Sequence, residues 1–387
     1  MTRPITNPDA TTVARRGIAL PAAIMALVLL SALVAGALYV STEELRAGHG
    51  DLASERALAA AESALERAVV SWDAQRNTSL TVGTSAIVER WSSGSGDRVD
   101  VTATRVGLRT VWLTAAATSG ADGRTIPARH TIAASLRLVG PRFPLNAALT
   151  AAGKVTIRDA TVDGRDVSTG GVPPTACVDD ANADVAGVLV PDALLACGAT
   201  CSGGAPPGVT GSPPVAVAAS LTPGAAPSFG DDTRATLARR ADLVLGAGTY
   251  APRPTVAGDR CNVEDPFNWG DPGGGVCGDL FRIVHVRGDA VLGAGSVAQG
   301  VLVLDGTLRV EPGASFAGVV VAANDIEVVG AGASIAGVAF TADTDGAGES
   351  RVANGAEVRF SSCAVRRAAL GVAHLTRTPG RWWAELR

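Results

Sequence analysis

Three aspartates recur at nearly even spacing toward the C-terminus: Asp305, Asp325 and Asp343. Each follows a short apolar run. Carboxylates stacked on one face could bind a metal or work as an acid–base pair on a polysaccharide. Aspartates are also common in turns, where the side chain bonds to nearby backbone amides, and the sequence is read that way here. The run Asp343-Thr344-Asp345-Gly346-Ala347-Gly348-Glu349 has part of the pattern of a calcium loop. It lacks the third acidic position and the correct spacing to the glutamate. His49, His130, His285 and His374 stand far apart, with no ligand spacing around them. No G-x-S-x-G, phosphate-binding loop or dinucleotide fingerprint occurs. The sequence therefore predicts no catalytic residue, metal ligand or cofactor, and a protein that is not an enzyme.

Cysteine chemistry is the better-supported kind. Cys177, Cys197, Cys201, Cys261, Cys277 and Cys363 all lie after residue 41. An even number is compatible with disulfides if that part of the chain sits outside the cytoplasm. Cys261 and Cys277 bracket a loop rich in Pro and Gly and are the expected pair. Cys177 would pair with Cys197 or Cys201, and Cys363 would take the remainder. Cys197 and Cys201 have the spacing of half a zinc site, but no second half stands at a useful distance.

The elements that would position these groups follow from periodicity. From residue 281 a repeat emerges: Ile283-Val284-His285-Val286, Val301-Leu302-Val303-Leu304, Val319-Val320-Val321-Ala322 and Val338-Ala339-Phe340-Thr341. Gly300, Gly318 and Gly337 precede the last three groups. This near-constant spacing predicts stacked rungs of a β-helix-like solenoid over 281–363, with a β-sandwich of coincidental spacing as the competing reading. Residues 145–167 form a candidate first rung. Residues 168–280 read as an extended insertion rich in Pro and Gly, broken by a short helix over 232–242. Alternation over 99–104, 110–114 and 130–138 predicts a small antiparallel meander within 80–144. The basic tail 364–387, with Trp382 and Trp383, would cap the last rung.

Ahead of all this stands an uncharged run over 18–40. As a helix it would reach roughly 34 Å, enough to cross a bilayer. Arg3, Arg15 and Arg16 outweigh Asp9 in residues 1–17. The positive-inside rule keeps that leader cytoplasmic and places the remainder across the membrane. The run could be a permanent anchor. It could be a signal peptide, since Ala35-Gly36-Ala37 resembles a cleavage site. It could also be an assembly helix cut between Gly17 and Ile18. Residues 41–75 continue as an amphipathic helix, with Leu52, Leu58, Ala61, Leu65 and Val69 at three- and four-residue steps. Gly48 and Gly50 predict a bend or a melted turn between the two helices rather than one rigid rod. The net charge of −4, with 37 acidic and 33 basic residues intermixed, gives no sign of a nucleic-acid partner.

Several phrases resemble the N-terminal region of PilX-type minor pilins of type IV pili. They are Arg16-Gly17-Ile18-Ala19-Leu20, then Ser41-Thr42-Glu43-Glu44-Leu45-Arg46-Ala47-Gly48, then Glu55-Arg56-Ala57-Leu58-Ala59-Ala60-Ala61-Glu62-Ser63-Ala64-Leu65. The glycine-rich β tail, with Thr161-Val162-Asp163-Gly164-Arg165-Asp166, is similar to that of longer relatives. The resemblance implies cleavage after Gly17 by a prepilin peptidase and N-methylation of Ile18. It implies an assembly helix including Ile18, Ala22 and Val40, and partners that are other pilin subunits, the pilus assembly machinery and the inner membrane. Ala22 stands where major pilins carry a glutamate, with Pro21 before it, which implies a minor, tip or priming subunit with a role in pilus assembly or adhesion. The expected fold is α+β: a long hydrophobic helix, a small antiparallel meander, and a C-terminal single-stranded β-helix-like solenoid.

Overall fold

The computed structural model describes residues 19–93, 96–120, 127–167, 184–197, 205–225, 227–346, 348–378 and 383–386. It opens on one helix, α1, Ala19–Val70, 52 residues long. The expected bend at Gly48 and Gly50 is absent: α1 passes through both without interruption. A glycine costs a helix about 1 kcal/mol, and here long helical stretches on either side absorb that cost cooperatively. Segments 18–40 and 41–75 are thus largely one element rather than two.

The distal half of α1 lies on an antiparallel sheet of β1 (Ser85–Ser92), β2 (Arg98–Gly107), β3 (Thr110–Ser119) and β4 (Ala128–Val139). These strands are the expected meander. Val101, Leu113, Ile132 and Leu136 alternate inward and meet Ala57, Ala61, Ala64, Leu65 and Ala68 of the helix. Small side chains at helical spacing let the helix axis settle close to the sheet, so the Ala density of residues 53–68 is a packing device.

Beyond residue 145 most strands pair in parallel. Arg282–Val286, Val297–Leu304, Ser315–Ala322 and Ser334–Thr341 lie side by side, with Ile283, Val301, Val319 and Val338 in one register column. A second parallel sheet holds Gly248–Tyr250, Ala290–Leu292, Leu308–Val310, Ile326–Val329, Glu349–Ala353 and Lys154–Arg158. The chain alternates between the two sheets from residue 282 to 353. In the first sheet both faces are covered, by a common apolar core on one side and by helices Arg234–Arg239 and Ser362–Gly371 on the other. That explains its continuous apolar runs, such as Val301-Leu302-Val303-Leu304, which a half-exposed strand would interrupt with polar residues.

Gly300, Gly318 and Gly337 form a column one step before the apolar positions. Their φ angles are 120°, 129° and 139°. A Cβ on any of them would strike the carbonyl oxygen of the residue one strand earlier: Arg282, Gly300 or Gly318. Only glycine fits this combination of backbone angle and close approach.

Further expectations are corrected. The stretch 168–280 is not a plain insertion, since its described parts lengthen the parallel sheets. Ala186–Val190 and Val215–Val217 extend one end beyond Ala147–Ala151, while Leu243–Leu245 and Gly248–Tyr250 add to the other end. Its helix is shorter than expected, Arg234–Arg239, and capped by Thr233. The tail is not a cap on the last strands either. Ser362–Gly371 packs across the first parallel sheet with Val365 and Ala368 buried. His374–Arg377 and Trp383–Leu386 then pair with β4. The physical reason is the open edge of β4, whose backbone groups need partners that the extended tail supplies. Trp382 lies outside the described residues. Ala147–Ala151 and Lys154–Arg158 stack beside the strands of 334–353 and add a further layer to both parallel sheets.

Candidate functional site

The first half of α1 touches no other part of the described chain. Residues 20–49 are exposed around the whole circumference, including Leu20, Met25, Leu33 (70% exposed) and Val40. Ala22 is exposed with them. This is the one helix among the described residues long and apolar enough to cross a membrane. A helix apolar on all sides calls for burial, in lipid or inside a protein assembly. Gly17 and Ile18 lie outside the described residues.

The second half is fixed to the β structure at several points. Ser54 Oγ lies 2.6 Å from His130 Nε2 at the start of β4. Arg67 donates to Glu89 at 2.8 Å and stacks over Trp91. Glu66 pairs with Arg377 of the tail. Just past the helix end, Asn77 is fully buried. Its Oδ1 accepts from Trp72 Nε1 at 2.7 Å, and its Nδ2 donates to the carbonyl of Ala373 at 2.6 Å. Arg105, 2% exposed, donates to the carbonyls of Asn77 (2.8 Å) and Gly107 (2.9 Å) and to that of Leu108. Burial lowers its guanidinium pKa, and no carboxylate among the described residues balances it. Carbonyl oxygens, aimed by separate segments, do that work instead.

Of the three spaced aspartates, Asp305 stands apart from the other two. Asp305 accepts from His285 Nε2 at 2.9 Å and pairs with Arg234. Asp325 and Asp343 come together at Gly348: a Cβ there would collide with the Asp325 carboxylate, and the Gly348 amide bonds to Asp343. Asp325 is 6% exposed and accepts from Ser350 Oγ at 3.2 Å. Burial pushes its pKa up to about 6, with Asp343, Asp345 and Glu327 adding to the effect. Asp343 is raised as well, first by burial and then by Asp345. Its Oδ1 is buried without a hydrogen-bond partner among the described residues. Among the described residues no three His, Cys, Asp or Glu side chains are arranged to hold a metal. Asp325 and Asp343 are costly buried carboxylates between strands, Asp305 is partly exposed, and the row of three does not converge on one point.

The expected pair Cys261 and Cys277 is bonded, with Cα atoms 4.9 Å apart. The loop they close is filled by the side chain of Asn268, which donates to the carbonyls of Asn262 (2.8 Å) and Thr255 (3.0 Å). Cys363, at the start of Ser362–Gly371, is also disulfide-bonded. Cys177 and Cys201 lie outside the described residues and Cys197 ends the helix Ala193–Cys197, so the pairing expected among these four falls outside them too.

No protein-family model and no curated protein matches this chain. Among solved structures it is matched with the competence-associated pilin ComZ from Thermus thermophilus, at 13% identity and a TM-score of 0.25, over 88% of this chain and 97% of that one. A likeness at that level assigns neither fold nor function.

Proposed function

We propose that the chain is a non-enzymatic, pilin-like subunit of a type IV pilus or related pseudopilus. The supporting observation is the division of α1: apolar and bare over residues 20–40, then joined to β structure from Ala53 onward. Such a helix rests in the inner membrane until assembly. It then moves its apolar surface from lipid to the helices of neighbouring subunits, while the β structure is displayed outside the cytoplasm. The near-constant spacing of the parallel strands supports a β-helix-like solenoid as the displayed part, serving pilus assembly or adhesion. The PilX-like phrases around Gly17, Glu43 and Glu55 support processing by a prepilin peptidase, N-methylation of Ile18, and contacts with the assembly machinery. Ala22 supports a minor rather than a shaft subunit.

Intact-mass and N-terminal peptide spectrometry on the protein from its native membrane tests this. A mature chain starting at methylated Ile18 is the expected result. An intact Met1 would overturn the pilin reading and leave a permanently anchored envelope protein presenting its β structure. A start at Leu38 would make the chain a secreted protein.

A further inference from the structure

At the end of the antiparallel sheet, a small cavity of about 50 Å³ is lined by Arg109, Arg137 and Arg142 together with Asp231 and Asp232. Arg109 sits in the turn between β2 and β3. Arg137 is near the end of β4, opposite Thr110. Arg142 follows Pro141, its amide donating to the carbonyl of Phe229 and its side chain lying against Gly230. Three chain segments therefore deliver three arginines to one recess.

Among the described residues, none of the three guanidinium groups has a hydrogen-bond or ion-pair partner. The carboxylate of Asp232 is already committed: it accepts from Arg240 at 3.1 Å and from Thr236 Oγ1 at 3.1 Å. Arg240 in turn donates to His374 Nδ1 at 2.9 Å. Of the residues lining the cavity, only Asp231 remains to balance three cations. Acidic residues outnumber basic ones along the chain, 37 to 33, so the imbalance at this spot is local. Guanidinium groups are planar forks that match the oxygens of phosphate. The cavity has room for an ion of a few heavy atoms, a water molecule's share of liquid being about 30 Å³.

We propose that this cavity binds a single tetrahedral oxyanion of the phosphate class, free or as the terminal group of a small soluble molecule. A lipid headgroup is excluded by distance if residues 20–40 span the membrane. Arg377, opposite Leu136, pairs with Glu66, so Arg137 stands near Glu66 of α1. The helical rise from Val40 at the end of the apolar segment to Glu66 is roughly 39 Å, several times the reach of an arginine.

The test is titration calorimetry of the full chain in detergent micelles with inorganic phosphate, at constant ionic strength in chloride. Arg137→Gln and Arg142→Gln, singly and together, are compared with Arg46→Gln, which lies on α1 away from the cavity. The expected result is saturable binding, weakened about 10-fold or more by each cavity substitution and unchanged in R46Q. Phosphate should also raise the thermal midpoint of the wild type and not of the double variant. Arg137 and Arg142 are exposed, so the variants should fold, and circular dichroism checks that they do. Absence of saturable binding in chloride, or equal binding by wild type and double variant, overturns the proposal. So would arginine-dependent binding to phosphatidylglycerol vesicles without binding of phosphate, because it would put the ligand in the membrane.

Discussion

At Asp325 the chain buries a carboxylate against the hydroxyl of Ser350. Burial is the main cause of its pKa of about 6, and neighbouring Asp343 pushes the same way. The folded value stands above the unfolded one, near 3.9, so the folded state takes up the proton first. Stability from this group is full below about pH 4 and is lost as pH rises through about 6. Two units correspond to about 3 kcal/mol at most, and partial hydration of the turn reduces that. Asp325→Asn should therefore stabilise the protein by about 1–2 kcal/mol at pH 8 and by almost nothing at pH 4. Urea denaturation at both pH values checks this; an equal effect at the two would mean that Asp325 is not the titrating group. The spacing of Asp305, Asp325 and Asp343 was legible in the sequence, but their partners were not. His285 and Arg234 reach Asp305 from a different strand and a helix, and spacing along a chain carries no information about such meetings. The same holds for Arg109, Arg137 and Arg142, which look like scattered surface charges until the fold collects them.

Elements were read best where one physical requirement repeats. The column Gly300, Gly318 and Gly337 shows in the sequence as a glycine before each apolar run, and the structure gives the reason: positive φ beside the previous strand's carbonyl. Gly318→Ala should cost more than the usual ~1 kcal/mol for an incompatible alanine, on the order of 3 kcal/mol once the backbone clash is added. Loss of soluble protein, or a thermal midpoint lower by several degrees, is the expected readout. Gly48→Ala is the contrast, since a Cβ there meets nothing within 4 Å, and it should leave the isolated fold unharmed or slightly more stable. The predicted bend at that point failed because glycine only permits a break in a helix. Whether one occurs depends on what competes with the helical hydrogen bonds, and among the described residues no neighbouring segment does so.

Across the whole molecule the chain closes on itself. Residues 281–363 complete the parallel sheets, and the tail then returns to the antiparallel sheet, pairing with β4 from His374 to Arg377. Asn77 holds the Ala373 carbonyl from the helix side, and Arg377 holds Glu66. A return of this kind is hidden in a sequence, because its signal is a free edge in a distant part of the chain rather than any local pattern. It should make the antiparallel and parallel parts unfold together. The segment 41–387, freed of its apolar run, should show a single calorimetric transition. Deleting 374–387 removes both strands from β4 and the Arg377 contact with Glu66, and it should split that transition into two, the lower one belonging to the helix and antiparallel sheet. The exposed β4 edge should also make the truncated protein associate at high concentration. Two transitions in the undeleted segment would show that the tail decorates the sheet without coupling it to the parallel strands. If the single transition is found, movement of α1 reaches the parallel strands through the tail as well as through residues 140–146.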